Sequence, residues 1–264
     1  MKYLVAFILL QFNIVLNAQW VQTSGANGST IRGFAVNGGG IFACYTARFD
    51  SAGVIRSTDN GIHWSNVSTG LPLREIDAIF ASGSDLYAAE NDAGVYRSTD
   101  YGGIWTGTGI AVAYIYRLAA IGTRLFAGDA NNGVLISTDN GTNWTTVNNG
   151  LTNTQIRALF VTGSSIYAGT RGGGLFQSTN NGTNWTALNS GLNKYVYAIE
   201  KIGSNLFAGT GNAGVFLSTN NGASWTAVNN GLPIANPIYA LAVSGTNLFA
   251  GIYGGGVYLS TNNG

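Results

Sequence analysis

Ser137-Thr138-Asp139-Asn140-Gly141-Thr142-Asn143-Trp144 is the stretch whose reading decides the fold. Its frame, Ser-x-Asp-x-Gly-x-x-Trp, also stands at Ser57, Asp59, Gly61 and Trp64, and at Ser98, Asp100, Gly102 and Trp105. With Asn in place of Asp it returns at Ser178, Asn180, Gly182 and Trp185, and at Ser218, Asn220, Gly222 and Trp225. A sixth copy opens at Ser260 and reaches Gly264. The opening serines lie 41, 39, 41, 40 and 42 residues apart. A fixed period of this length, filled with short alternating strands, is that of one propeller blade.

Each copy follows an alternating stretch such as Gly133–Thr138 and precedes another such as Trp144–Val147, so it reads as a hairpin turn. Ser and Asp or Asn can bond the backbone a few residues on, which closes such a turn locally. Gly supplies a positive φ at the tightest position. Trp buries a large ring against the sheet and has a single N–H to satisfy. Because Asn180 and Asn220 keep the frame, no carboxylate is required, and these are structural residues, not metal ligands or catalytic acids.

The octet resembles the Asp-box, or BNR, repeat of sialidases, sortilin-type receptors, some glycoside hydrolases and photosystem assembly factors. The resemblance extends over nearly the whole chain after residue 18. It implies an all-β propeller and leaves the activity open, since those relatives include both enzymes and pure binding proteins.

Met1 to Ala18 reads as a secretion signal, with Lys2, an apolar run from Leu4 to Leu16, and a small residue before Gln19. The run is too short to span a bilayer, so a secreted or cell-surface protein with no transmembrane segment is expected. Twelve Lys and Arg nearly balance eleven Asp and Glu, which gives no basic surplus for nucleic acid. Cys44 is the one cysteine and takes the slot of Gly128, Gly169, Gly209 and Gly251, as a small buried residue would. No cofactor and no metal site is expected.

Four short strands fill each repeat, in the fourth copy Ile156–Val161 (A), Ser165–Gly169 (B), Gly174–Ser178 (C) and Trp185–Leu188 (D). Strand A begins at Ile31, Ile76, Ile115, Ile156, Val196 and Ile238, so six blades are visible. An orphan strand D, Trp20–Gly25, can close the last blade. Alternatively the chain is a fragment to be followed by a further blade and a sorting domain, as in similar secreted proteins; this second reading is preferred.

The copies act as controls for one another. With strand A innermost, the D–A and B–C connections share one face and the Asp-boxes occupy the other. The second residue of strand A reads Arg32, Asp77, Tyr116, Arg157, Tyr197 and Tyr239, a candidate ring at the channel mouth. The B–C loops add Arg48-Phe49-Asp50, Glu90, Asp92, Asp129, Arg171 and Tyr253, and the D–A loops add Arg74-Glu75, Tyr114, Lys194-Tyr195 and Asn236. Aromatic rings beside Asn, Asp and Arg suit a glycan or a protein partner. The competing view is that the ring merely lines a channel and the loops drift.

The sialidase resemblance implies an arginine triad, here Arg32 and Arg157 with Arg74, Arg117 or Arg171, and a tyrosine such as Tyr116, Tyr197 or Tyr239. Against it, the Arg-Ile-Pro signature has no counterpart and only Glu75 and Glu90 lie near the mouth. A general glycosidase needs two flanking carboxylates, for which Asp77 with Glu75, Glu90, Asp92 or Asp129 are the candidates. The leading expectation is an exported, non-catalytic binding or adhesion scaffold. The alternatives are a sialidase-like glycoside hydrolase and a structural segment of a larger surface protein.

Overall fold

The computed structural model describes residues 29–46, 52–72, 74–90, 92–110 and 114–264. The expected signal Met1–Ala18, the orphan strand Trp20–Gly25 and the loop residues Arg48, Phe49 and Asp50 lie outside the described residues.

Among the described residues, twenty-three strands form six antiparallel sheets, each meandering outward in chain order. Blade 1 holds β1 (Thr30–Asn37), β2 (Gly40–Thr46), β3 (Ala52–Ser57) and β4 (Ser65–Asn66). Blade 2 holds β5 (Ile76–Ser82), β6 (Asp85–Glu90), β7 (Gly94–Ser98) and β8 (Thr106–Gly107). Blade 3 holds β9 (Ile115–Ile121), β10 (Arg124–Asp129), β11 (Gly133–Ser137) and β12 (Thr145–Thr146). Blade 4 holds β13 (Ile156–Thr162), β14 (Ser165–Thr170), β15 (Leu175–Ser178) and β16 (Thr186–Ala187). Blade 5 holds β17 (Val196–Ile202), β18 (Asn205–Thr210), β19 (Val215–Ser218) and β20 (Thr226–Ala227). Among the described residues, blade 6 has three strands, β21 (Ile238–Ser244), β22 (Asn247–Ile252) and β23 (Gly256–Ser260). The first strand of each blade lies against the first strand of the next, so these six strands are innermost in a β-propeller. The outermost strand is shorter than the sequence suggests, two residues instead of four, although the Leu188 N–H still bonds the Leu175 carbonyl.

Alternation along the second strand of each blade supplies both faces of the packing. In β10, Leu125 and Ala127 face blade 2 beside Tyr87, Ala89 and Val95, while Phe126 faces blade 4 beside Ile156, Ile166 and Phe176. Five such apolar layers join the six blades in succession. Between blades 6 and 1 the facing residues are instead exposed: Phe34 and Val36 on one side, Val257 and Leu259 on the other. Cys44 is fully buried and hydrogen-bonds the Gly33 carbonyl, and burial pushes its thiol up to about 12.

The Asp-box turns lie on the outer side of the blades. Ser178 Oγ donates to Asn180 Oδ1 at 2.9 Å and accepts from the Gly182 N–H at 2.9 Å, while the same Asn180 oxygen accepts from the Asn184 N–H. Ser137 and Asp139 make the same bonds at matching lengths, so amide and carboxylate are interchangeable here. Two residues, not one, take positive φ: Gly141 at 90° and Asn140 before it at 58°. Asn tolerates that left-handed conformation, and Asn stands there in five copies, Tyr101 in the other. Trp105, Trp185 and Trp225 donate their indole N–H to Val67, Val147 and Leu188 of the preceding blade, which staples successive rims together.

Candidate functional site

In every innermost strand one residue is skipped by the ladder, the third in β1 and the second in the other five. Ile76 pairs with Glu90 and Ala78 with Ala89, leaving Asp77 without a partner. The same shift leaves out Arg32, Tyr116, Arg157, Tyr197 and Tyr239. A bulged residue escapes the two-faced alternation of its strand and can re-aim its side chain. Six equivalent bulges therefore aim six side chains at one place. All six line a single cavity of about 740 Å³, together with Thr30, Ile31, Arg117, Arg171, Ala240 and Tyr253.

Charge is divided around this cavity. Among the described residues, four guanidinium groups (Arg32, Arg117, Arg157, Arg171) line it against one carboxylate, Asp77. Arg32 lies 3.6 Å from Glu75 and 4.0 Å from Asp77, tying the two acids together. Burial raises the Asp77 pKa, with Arg32 pulling the other way. The Arg157 guanidinium stacks over the Tyr116 ring, 4.1 Å from its centroid, and its Nε is buried without a hydrogen-bond partner. On blades 5 and 6 the lining turns aromatic. Tyr197 and Tyr239 are 5.4 Å apart between centroids, and Tyr253 meets Tyr239 edge-on at 5.7 Å. Tyr239 and Tyr253 are exposed, so their faces are available to a ligand.

Of the residues singled out from sequence, Arg32, Asp77, Tyr116, Arg157, Arg171, Tyr197, Tyr239 and Tyr253 are thus brought together. Glu90, Asp92 and Asp129 do not line the cavity. Glu90 and Asp129 end the second strands of blades 2 and 3 and are fully buried beneath their own turns. Asp129 Oδ1 accepts from the N–H groups of Asn131 and Asn132, a turn-closing role that Thr170 and Thr210 perform with hydroxyls in blades 4 and 5. Glu90 fills the same position with both carboxylate oxygens unpartnered, and burial raises its pKa. Asp92 takes a left-handed φ of 71° in its turn.

Arg117 was marked by the sequence only as one of three choices for a third arginine. It pairs with Gly128 in the ladder, at the position held in the other blades by Gly33, Ala78, Ala158, Ala198 and Ala240. Comparing the copies one residue further along strand A would have isolated it. Among the described residues no group of three or more His, Cys, Asp or Glu could hold a metal ion. Nor is any helix among them long and apolar enough to cross a membrane.

Comparison with known proteins gives the fold repeatedly. A family model described as the DUF6242 beta propeller domain matches residues 18–155 and 125–250. No curated protein matches. Among solved structures, YCF48 bound to D1 peptide is 16% identical, with 91% of this chain and 81% of that chain covered and a TM-score of 0.70. The extracellular domain of BT4673, a putative one component system from B. thetaiotaomicron, is 18% identical at a TM-score of 0.74, covering 90% of this chain. A GH74 xyloglucanase from Xanthomonas campestris is 16% identical at 0.69, covering 88% of this chain. The chain spans 33% of the BT4673 domain and 45% of the xyloglucanase.

Proposed function

Because the chain belongs to the DUF6242 β-propeller domain family, we propose that it is an exported binding scaffold that takes a carbohydrate ligand in its central cavity. The observation that carries this reading is the set of six bulges, which removes one residue per blade from the ladder and commits it to a common cavity. Tyr197, Tyr239 and Tyr253 offer a stepped aromatic platform on which sugar rings stack, and the arginines and Asp77 supply donors and an acceptor that fix orientation. Among the described residues, Ile31 and Ala240 are the aliphatic members of the lining, which offers no large apolar anchor pocket of the kind that a peptide side chain fills. The extracellular setting of the BT4673 domain accords with export.

The test is retention of the purified protein on a panel of oligosaccharides, repeated with Tyr197→Ala and Tyr239→Ala together. Binding that drops about tenfold or more in the double variant, as expected for removal of stacking aromatics, supports the reading. Binding only to peptides would replace it with a protein partner.

A second reading, glycoside hydrolysis, draws on one observation. Asp77, whose carboxyl is pushed toward the protonated form by burial, neighbours Glu75 through their shared Arg32. A protonated acid beside a second carboxylate is what glycosidic cleavage requires. Product analysis of each bound saccharide separates the two readings: release of shorter sugars, abolished by Asp77→Asn, favours hydrolysis.

A further inference from the structure

We propose that a second cavity, at the rim between blades 5 and 6, is an indole slot whose occupant is Trp20 of the same chain, with Trp20–Gly25 running along the outer edge of β23. The cavity, of about 280 Å³, lies one blade on from the seat of Trp225 and repeats that seat. Trp225 packs among Leu192, Leu206, Ala208 and Phe216. At the corresponding places the cavity is lined by Leu232, Leu248, Ala250 and Tyr258. The polar partners recur as well. Trp225 gives its indole N–H to the Leu188 carbonyl and its backbone N–H to the Ser190 carbonyl, and the counterparts Val228 and Asn230 both line the cavity. A large apolar slot with one acceptor for a ring N–H is matched to tryptophan.

Two glycines mark where the incoming strand lies. A Cβ at Gly150 or Gly191 would collide with the carbonyl oxygen of the tryptophan seated beside it, Trp185 or Trp225. One at Gly174 or Gly214 would collide with the Asn189 or Asn229 side chain, four residues beyond that tryptophan. Their counterparts Gly231 and Gly256 keep a left-handed φ, 83° and 82°, yet a Cβ there would meet nothing within 4 Å among the described residues. Among the same residues β23 pairs with β22 alone, so its outer edge offers a row of backbone donors and acceptors. The segment that fits is in this chain. Each Asp-box tryptophan precedes the first Ile or Val of the next innermost strand by 10 to 13 residues, and Trp20 precedes Ile31 by 11. Ser24 stands four residues beyond Trp20 as Ser68 does beyond Trp64, and Ser68 Oγ accepts the Val54 N–H as Asn229 Oδ1 accepts that of Val215. The register follows. As Thr226 pairs with Leu217 and Ala227 with Phe216, Val21 pairs with Leu259 and Gln22 with Tyr258. The strand leads into β1, so its seating ties the first blade to the last, whose facing residues Phe34, Val36, Val257 and Leu259 are otherwise exposed.

The experiment is a cysteine cross-link in the protein from Gln19 onward. Val21→Cys with Leu259→Cys should form a disulfide on mild oxidation, because directly paired cross-strand residues lie within the separation that a disulfide spans. Gln22→Cys with Leu259→Cys, one residue out of register, points the two thiols to opposite faces and should not. Cys44 is buried and does not compete. Migration without reductant reads the product. A cross-linked monomer from the first pair alone supports the proposal. A cross-linked dimer would give the slot to the strand of a second copy, and no cross-link, or equal yields from both pairs, would take Trp20–Gly25 off β23; each of these overturns it. In the protein without added cysteines, Trp20→Ala should lower the melting temperature by about 6–20 °C, from the usual loss on truncating a buried tryptophan in a domain of this size. The fluorescence lost with Trp20 should be blue-shifted and shielded from acrylamide. An unchanged melting temperature in Trp20→Ala, or emission from Trp20 that acrylamide quenches freely, overturns the proposal as well.

Discussion

Replacing Ser178 by Ala removes one oxygen and tests whether the Asp-box is a buried staple or surface decoration. Ser178 is 1% exposed, and its Oγ organises three groups. It donates to Asn180 Oδ1 at 2.9 Å and accepts from the Asn180 N–H at 3.4 Å and the buried Gly182 N–H at 2.9 Å. In the variant Asn180 Oδ1 still has the Asn184 N–H, so that oxygen is not orphaned. Gly182 N–H is orphaned, and Ala has nothing to offer it. An unsatisfied buried donor costs about 1–3 kcal/mol, and a domain of this size loses about 2–4 °C in Tm per kcal/mol. A loss near 2 kcal/mol therefore corresponds to about 4–8 °C.

The molecule contains its own control. Ser260 makes the same three bonds, to Asn262 Oδ1 at 3.0 Å and from the N–H groups of Asn262 and Gly264, but at the solvent-exposed edge of blade 6. Water can replace its hydroxyl there, so Ser260→Ala should stay within about 0.5 kcal/mol of the parent. Urea denaturation followed by tryptophan fluorescence measures both. Equal losses in the two variants, or no loss in Ser178→Ala, would refute the idea that burial gives this motif its strength.

Acid sensitivity should be confined to the first three Asp-boxes. The His63 N–H and ring hold Asp59 down at about 2, and the N–H groups of Ile104 and Asn143 depress Asp100 and Asp139. A depressed carboxyl contributes stability above its unfolded pKa of about 4, lost as pH falls through the folded value. Changing all three to Asn, as in boxes four and five, should flatten the fall of Tm between pH 4 and pH 2; an unchanged slope would show that acid acts elsewhere. Gly209→Ala and Gly251→Ala, equivalent by register, should differ. A Cβ at Gly209 would sit 2.7 Å from Ile238 Cγ2, whereas at Gly251 the nearest atom is Ala240 Cβ at 3.3 Å. Overpacking predicts about 1–3 kcal/mol for the first and little for the second, read from urea midpoints.

Much of this architecture is written openly in the chain. The period fixes the blade, and the innermost strands begin at the residues that the pattern picks out, apart from Thr30 in place of Ile31. That happens because each blade repeats one solution to one packing problem, so six weak signals reinforce each other. The bulges were not legible. Arg, Asp and Tyr at the second position carry no mark of a register shift, and plain alternation would have assigned them to a face of the sheet. The left-handed residue before each Asp-box Gly was missed in the same way, because Asn is also common where φ is negative. Glu90 and Asp129 looked like exposed loop acids since they adjoin turns; whether a strand-end side chain points out or beneath its turn depends on register, which spacing does not reveal.

The bulge also explains why the mouth can differ in every blade while the rim hardly changes. Rim stability is held in bonds that recur: a serine within each turn, and an indole that reaches the preceding blade from Trp105, Trp185 and Trp225 or bonds within its own turn at Trp64 and Trp144. Each of these has a partner at a fixed distance, so substitution leaves something buried and unpaired. A bulged residue has left the ladder and packs on neither sheet face, so exchanging Asp77 for Tyr or Arg disturbs no repeated contact. The six ring positions are thus released from the constraints that hold the rim constant. Arg117 breaks that division, because it is a ladder residue in a slot that every other blade keeps small. A position that holds Ala in four blades and Gly in a fifth, yet a largely desolvated cation in blade 3, is where structural need is least able to account for the residue.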